Sequence, residues 1–143
     1  PMSNSTKSMM EAIYRRVGKN PGQQPEKAAA GSRDQLGIMK RMEDASCAGK
    51  ITGSCGETME VFLKLDGDKI IDASFFSDGC WFSVLCGWVA TQLARGKSVE
   101  EAVEIGGDTV LSMFKEVPEN EAHCAQLAAE TLHAAVHDWM VKK

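Results

Sequence analysis

The sequence lacks clusters of Lys and Arg, and it has no long apolar run. Sixteen Lys and Arg stand against 20 Asp and Glu, which gives a net charge of -4. A surface for nucleic acid or for an anionic membrane needs clustered positive charge, so the composition argues against both partners. The longest apolar stretch, 81–94, is interrupted by polar residues and is too short to span a bilayer.

Familiar catalytic motifs are missing as well. The chain contains no Gly-x-Ser-x-Gly elbow, no zinc-protease motif and no phosphate-binding loop, which argues against a general hydrolase. No signal peptide opens the sequence, so we expect a reducing compartment, the cytoplasm. The five cysteines are an odd number with wide spacings, and in such a compartment thiols serve as ligands or nucleophiles rather than as disulfides.

The middle of the chain predicts a β-hairpin. Apolar residues alternate with polar residues over 58–65, and a return strand over 69–76 follows a turn signal at 66–68. A three-residue loop would place Leu63 opposite Ile71. This register aligns the apolar side chains of both strands on one face of the sheet.

Helical patterns follow the hairpin. Apolar residues on most sides predict a core helix over 80–93, which Gly96 ends. Ser98 and Glu101 form a capping box for a short helix. We expect Asp108 to cap the next short helix.

The two ends of the chain complete the predicted architecture. A long final helix carries an apolar stripe that includes Cys124. Residues 1–48 are interpreted as an N-terminal helix with a variable connection, and residues 49–143 as the main domain. With a third short strand at 51–52, we expect a single α+β domain in which helices cover a small antiparallel three-stranded sheet.

The predicted hairpin brings two cysteines towards each other. Cys55 lies twelve residues before Gly67, and Cys80 lies thirteen residues after it. Continued pairing of the strands would leave these cysteines roughly 5 Å apart, with some additional freedom in the loops. Glycines near both cysteines let the backbone approach a ligand closely. Cys80 and Cys124 also come near the starts of helices, where thiolate is favoured over thiol.

Two further donors stand near these sulfurs in the sequence. Glu57 is two residues from Cys55, and His123 directly precedes Cys124. Three thiolates with a carboxylate or an imidazole form a four-coordinate set for zinc or for iron in a cluster. The alternative is three buried structural thiols, which is how we interpret Cys86 in the apolar helix.

Residues 49–141 resemble the NifU/IscU-type iron–sulfur cluster assembly scaffolds, whose domain is the NifU N-terminal-like domain. The matching segments are GSCGETMEVFLKLDGDKIIDASFFSDGCWFS, LARGKSVEEA and EAHCAQLAAETL. Three cysteine contexts therefore recur in order with the family's spacing. The resemblance implies a scaffold that builds a labile cluster from iron and desulfurase-derived sulfur and transfers it to apo-proteins. The implied cluster is [2Fe–2S], with [4Fe–4S] and zinc as alternatives for the same site.

The resemblance also implies roles for individual residues. Cys55, Cys80 and Cys124 would be the cluster ligands. Glu57 falls where the family usually has an Asp ligand, and His123 is the alternative fourth ligand. Cys124 would accept the persulfide from a cysteine desulfurase, a reaction that needs an exposed and partly ionised sulfur.

The sequence departs from the family pattern at places that bear on its partners. The Pro-Pro-Val-Lys segment that recruits an Hsp70-type chaperone in some members is here Val117-Pro118-Glu119-Asn120, which argues against chaperone dependence. The insertion that marks zinc-bound sulfur-transfer members is missing, which favours the scaffold over a zinc-bound sulfurtransferase that relays persulfide. The expected partners are a cysteine desulfurase and apo iron–sulfur proteins, and the oligomeric state stays open between monomer and homodimer.

Overall fold

The structure is a computed structural model that describes residues 39–53, 56–79, 81–114 and 122–142. Its elements, numbered within those residues, are β1 (Cys47–Thr52), β2 (Thr58–Asp66), β3 (Lys69–Ser77), α1 (Trp81–Ala94), α2 (Val99–Ala102), α3 (Gly107–Leu111) and α4 (Ala122–Lys142). The strands form one antiparallel sheet in the order β1-β2-β3. The predicted α+β class is confirmed, and the predicted N-terminal helix lies outside the described residues.

The hairpin of β2 and β3 has a different register from the predicted one. Its turn has two residues rather than three, and Gly67 in that turn has a φ of +64°. β3 carries one extra residue, Ile71, which has no partner on β2, so Leu63 pairs with Ala73. Ile70 is consequently buried and Ile71 is 47% exposed. The predicted pairing of Leu63 with Ile71 was therefore wrong, because a short turn and a bulge replace the longer loop.

β1 is longer than the two residues predicted and lies directly against α4. It pairs with β2 from Cys47 onwards. A Cβ atom on Gly49 would come within 2.6 Å of the Thr131 carbonyl oxygen and 2.9 Å of the Ala134 carbonyl carbon. These distances are shorter than real Cβ contacts. Because glycine has no side chain, Gly49 allows β1 to approach the backbone of α4 more closely than any other residue would.

Helices α1 and α4 cover one face of the sheet and pack against each other. The largest sheet residues beneath them are fully buried: Met59, Val61, Leu63, Ile70 and Phe75. The predicted apolar stripe of α4 is buried in the same core: Cys124, Leu127, Ala128, Leu132, Ala135 and Val136. Within the described part of the chain, no helix is both long and apolar enough to span a bilayer.

The short helices between α1 and α4 follow the predicted caps only in part. Gly96, which has a φ of +85°, follows α1 as predicted. Ser98 caps α2, and its capping box with Glu101 is present. The predicted cap at Asp108 was wrong, because α3 begins one residue earlier and its N-cap is Gly106. The backbone N–H of this glycine donates to a threonine hydroxyl three residues later, which replaces the side-chain cap expected from an aspartate.

The last turns of α4 are joined to the start of β1. Oδ2 of Asp138 accepts the Ala48 N–H at 3.1 Å and pairs with the Lys142 ammonium at 2.9 Å. These two donors, the Ala48 N–H first, hold the pKa of Asp138 below its ordinary value. In the same region burial, aided by the Asp138 charge, raises the pKa of Cys47 to about 11. Cys47 is thus a neutral core thiol, and Cys86 is buried in α1 as predicted.

Replacing Gly49 with alanine should lower the free energy of unfolding by about 2 to 3 kcal/mol, because the new methyl group would push β1 away from the α4 backbone. Denaturant unfolding followed by circular dichroism measures this change. Gly106→Ala is the matched control, since nothing lies within 4 Å of a Cβ atom there, and its effect should stay below about 1 kcal/mol, the usual cost of alanine at an N-cap. Equal stability of the two variants would contradict the close approach of β1 to α4.

Replacing Asp138 with alanine should lower stability at neutral pH, but by less than about 1 kcal/mol, because the side chain is 33% exposed and water screens its interactions. A carboxylate whose pKa is lowered by folding stabilises the protein above its unfolded pKa, near 3.8. That contribution disappears as the pH falls through the lower folded value. Urea unfolding at pH 7, 5 and 3 should show the difference between variant and wild type shrinking towards pH 3. A constant difference would show that the Asp138 charge is not involved.

Candidate metal centre

The candidate site lies at the end of the sheet where β1 ends, β2 begins and β3 ends. Antiparallel pairing gathers these strand ends, because Thr52 pairs with Thr58 and Met59 pairs with Ser77. Helix α1 begins shortly after β3, and the first turn of α4 lies at the same end of the sheet, beside Glu57. The meeting of the start of β2 with the end of β3 is what the predicted hairpin led us to expect.

Glu57 lies between β1 and β2, where hydrogen bonds join the described residues on either side of it. The Gly53 N–H donates to the Glu57 carbonyl at 2.7 Å, and the Gly56 N–H donates to the Gly53 carbonyl at 3.0 Å. Gly56 has a φ of +89°, which favours glycine. After the loop, the Thr58 N–H donates to Oδ1 of Asp78 at 2.7 Å. The backbone on both sides of Glu57 is therefore fixed before any metal binds.

The Glu57 side chain points into the protein and has only one of its oxygens satisfied. It is 9% exposed. Oε2 accepts a hydrogen bond from the Ser83 hydroxyl at 2.7 Å. Oε1 is buried, and it accepts no hydrogen bond from any residue that the structure describes. A buried carboxylate oxygen without a donor is costly, and a bound cation would remove that cost.

Two residues in the first turn of α4 bring further donors to this oxygen. Nε2 of His123 lies 4.0 Å from Oε1 of Glu57 and 3.7 Å from Sγ of Cys124. The three ligand atoms are all within 4.8 Å of one another. Two ligands of one tetrahedral zinc ion are roughly 3.3 to 3.6 Å apart, given ordinary zinc–ligand bond lengths. A small closing movement would therefore let all three atoms bind a single ion.

Access to the two α4 donors differs. The His123 side chain is 47% exposed, whereas Cys124 is 0% exposed. The burial of Cys124 agrees with its position on the predicted apolar stripe, whereas the persulfide reaction needs an exposed sulfur. The sulfur must be uncovered before it can attack a sulfur donor.

Cys55 and Cys80, the other two predicted ligands, lie outside the described residues. The chain that precedes each of them nevertheless passes beside Glu57. A Cβ atom on Gly53 would lie 3.8 Å from Cγ of Glu57, and a Cβ atom on Gly79 would come within 2.9 Å of its carboxyl carbon. The ligand roles of Cys55 and Cys80 remain predictions.

Two residues that hold Glu57 and its loop were not singled out from the sequence. Asp78 stands in an Asp-Gly pair, which is a turn signal, so a role in the loop was open to prediction. Ser83 carries no comparable signal. Its partner is 26 residues earlier in the chain, and a serine in an apolar helix gives no indication of which distant carboxylate it will meet.

Comparison with known proteins relates the chain to one family. Residues 33–143 match the family described as NifU-like N terminal domain. The iron–sulfur cluster assembly scaffold protein IscU 1 of Archaeoglobus fulgidus is 33% identical over 103 residues, which cover 71% of this chain and 67% of that protein.

Two crystal structures share the fold. A candidate iron–sulfur cluster assembly scaffold protein for the SUF system from Fervidobacterium islandicum AW-1 has a TM-score of 0.56 at 25% identity, covering 69% of this chain and 86% of that one. The N-terminal part of a nitrogen-fixing NifU-like protein from Brucella abortus has a TM-score of 0.62 at 15% identity, covering 94% and 99%. At 15% identity, the similarity to the Brucella abortus protein shows a common fold and nothing more.

The geometry predicts that Glu57 contributes more to metal binding than His123 does. Glu57→Gln should weaken Zn²⁺ binding by at least about 10-fold, because the buried charge that needs a cation is lost. His123→Gln should weaken it by less than about 3-fold, because the half-exposed ring is already solvated in the metal-free protein. Competition with a chromophoric chelator measures both affinities, and His137→Gln, on an exposed turn of the same helix, is the matched control. A larger loss in His123→Gln than in Glu57→Gln would contradict this order.

Proposed function

This chain belongs to the family of NifU-like N-terminal domains, and we propose that it is a scaffold on which an iron–sulfur cluster is built and from which the cluster passes to apo-proteins. The observation that supports this most is the buried Oε1 of Glu57, which accepts no hydrogen bond from the described residues and lies beside the Cys124 thiol and the His123 ring. The cluster is cargo in this proposal. The site must therefore bind iron well enough to assemble the cluster and weakly enough to release it.

We propose that Cys55, Cys80 and Cys124 supply three thiolate ligands and that Glu57 supplies the fourth donor, with His123 as its alternative. Soft thiolates suit iron and sulfide, whereas a carboxylate oxygen is a harder donor that binds such a centre less strongly. One oxygen among three sulfurs favours release of the finished cluster. The burial of the Glu57 carboxylate supports its role as a ligand, because a solvated surface carboxylate would not need a cation.

The proposed cargo is a [2Fe–2S] cluster. Four protein donors satisfy the terminal positions of either a [2Fe–2S] or a [4Fe–4S] cluster, and the same donors suit zinc. Zinc in the isolated protein would therefore be compatible with the scaffold role. We propose the cytoplasm as the compartment, because five widely spaced cysteines in a reducing compartment are suited to act as ligands or nucleophiles.

Sulfur is proposed to reach the site from the persulfide of a cysteine desulfurase. The Cys124 thiolate would attack the outer sulfur of that persulfide, form a new S–S bond, and displace the desulfurase thiolate, which leaves with the electron pair of the broken bond. Because Cys124 is covered in this structure, the reaction needs a movement of the first turn of α4 or of the His123 side chain. Docking of the desulfurase is the proposed cause of that movement.

Anaerobic reconstitution with iron, sulfide and reductant should give the wild-type protein the visible absorbance of an iron–sulfur cluster. Cys80→Ala and Cys124→Ala should each abolish this absorbance, because three donors hold a cluster poorly. Cys86→Ala is the matched control: it removes a buried thiol that is part of the core and should leave the absorbance unchanged.

A wild-type protein that stays colourless while its circular dichroism remains that of a folded domain would contradict the scaffold role. Tightly bound zinc, together with sulfur transfer from a desulfurase but no cluster, would instead indicate the zinc-bound sulfurtransferase. Iron, zinc and sulfide analysis of protein purified without oxygen separates these two results.

A further inference from the structure

We propose that Ser83 is a positioning residue for the metal centre, whose hydroxyl holds Oε2 of Glu57 so that Oε1 alone is presented to the metal. The inference rests on the proposed scaffold site and adds a residue to it. Ser83 would not itself bind the metal. It would act through the carboxylate and fix both its direction and the number of oxygens that it offers.

The contact between Ser83 and Glu57 is short and shielded from water. Ser83 is the third residue of α1 and is fully buried. Its Oγ donates to Oε2 at 2.7 Å, the length of a hydrogen bond between a hydroxyl and a charged carboxylate. Such bonds are about twice as strong as those between neutral groups. In a buried place, no water competes for either partner.

The backbone of Gly79 also confines the carboxylate. The backbone of Gly79 lies against it so closely that a Cβ atom on this glycine would overlap Oε2. The same imaginary Cβ atom would lie 3.0 Å from Cβ of Ser83. Gly79 and Ser83 therefore form a slot that holds the Glu57 carboxyl group.

The slot accounts for how a glutamate can serve where the family usually has an aspartate. The extra methylene adds a rotatable bond, so a free glutamate side chain would distribute its carboxylate over several rotamers. The Ser83 hydrogen bond selects one of them. It also directs Oε2 towards α1, so that Oε1 is the oxygen facing the metal donors and Glu57 would bind through that oxygen.

The test is a double-mutant cycle with Zn²⁺ alone as the probe. Wild type, Ser83→Ala, Glu57→Ala and the double variant are titrated against a chromophoric chelator, and circular dichroism checks that each is folded. Ser83→Ala should weaken Zn²⁺ binding roughly 10- to 100-fold, the usual effect of losing the group that orients a metal ligand. In the Glu57→Ala background, the same serine change should alter the affinity by less than about 3-fold. A purely structural serine would have the same effect in both backgrounds, and that result would overturn the proposal.

A control variant and a second solution condition keep the test decisive. Thr91→Val removes another buried hydroxyl of α1, one that donates to backbone carbonyls, and it should leave Zn²⁺ affinity unchanged. If Ser83→Ala does not fold in buffer, all four proteins are titrated again in sucrose, which favours the compact state, and the same loss is expected there. An unaltered affinity in a folded Ser83 variant, or a wild-type protein that binds no Zn²⁺, would overturn the proposal.

The zinc titrations and the cluster reconstitution together separate this inference from the scaffold proposal. A wild-type protein that shows the Ser83–Glu57 coupling with Zn²⁺ but assembles no cluster would overturn the scaffold role and support the positioning role. A protein that assembles a cluster and shows no coupling would support the scaffold role and overturn the positioning role of Ser83.

Discussion

The position of α4 along β1 is the constraint on which the site depends. Three contacts fix it: Leu127 packs at the Gly53 end of β1, Thr131 and its neighbours meet Gly49, and Asp138 accepts the Ala48 N–H. The helix therefore runs antiparallel to the strand, and its first turn extends beyond the strand end. Because one helical turn rises about 5.4 Å, the donors on that first turn arrive at the loop between β1 and β2. A shift of α4 by one turn would remove them from the carboxylate.

Burying the Glu57 carboxylate lowers the local stability of the folded protein. One oxygen is satisfied by Ser83, and the other faces a thiol and an imidazole without accepting a hydrogen bond from the described residues. Protein interiors rarely leave such a group unpaired. In a carrier of metal cargo the cost has a use, because the free energy of the unsatisfied oxygen is recovered only when a cation is present.

The burial of Cys124 places opposing demands on the two roles that we propose for this residue. As a cluster ligand, a buried thiolate would be protected from water and oxidants, whereas a persulfide acceptor must be reached by a sulfur donor. The half-exposed His123 ring lies 3.7 Å from the sulfur, in the same first turn of α4. A movement of this turn would reconcile the two proposed roles.

The sequence by itself determined the class of fold and predicted the donors of the site, because alternation, helical spacing and three cysteine contexts are local patterns. It did not determine the register, since the bulge at Ile71 depends on how two strands twist together, nor the close approach of Gly49, since that depends on the neighbouring helix backbone. The tertiary structure alone decided that Cys124 is covered and that Ser83 meets Glu57. Both follow from the packing of elements that are distant in sequence. Such contacts leave no periodic pattern within one segment, so they cannot be predicted from local sequence.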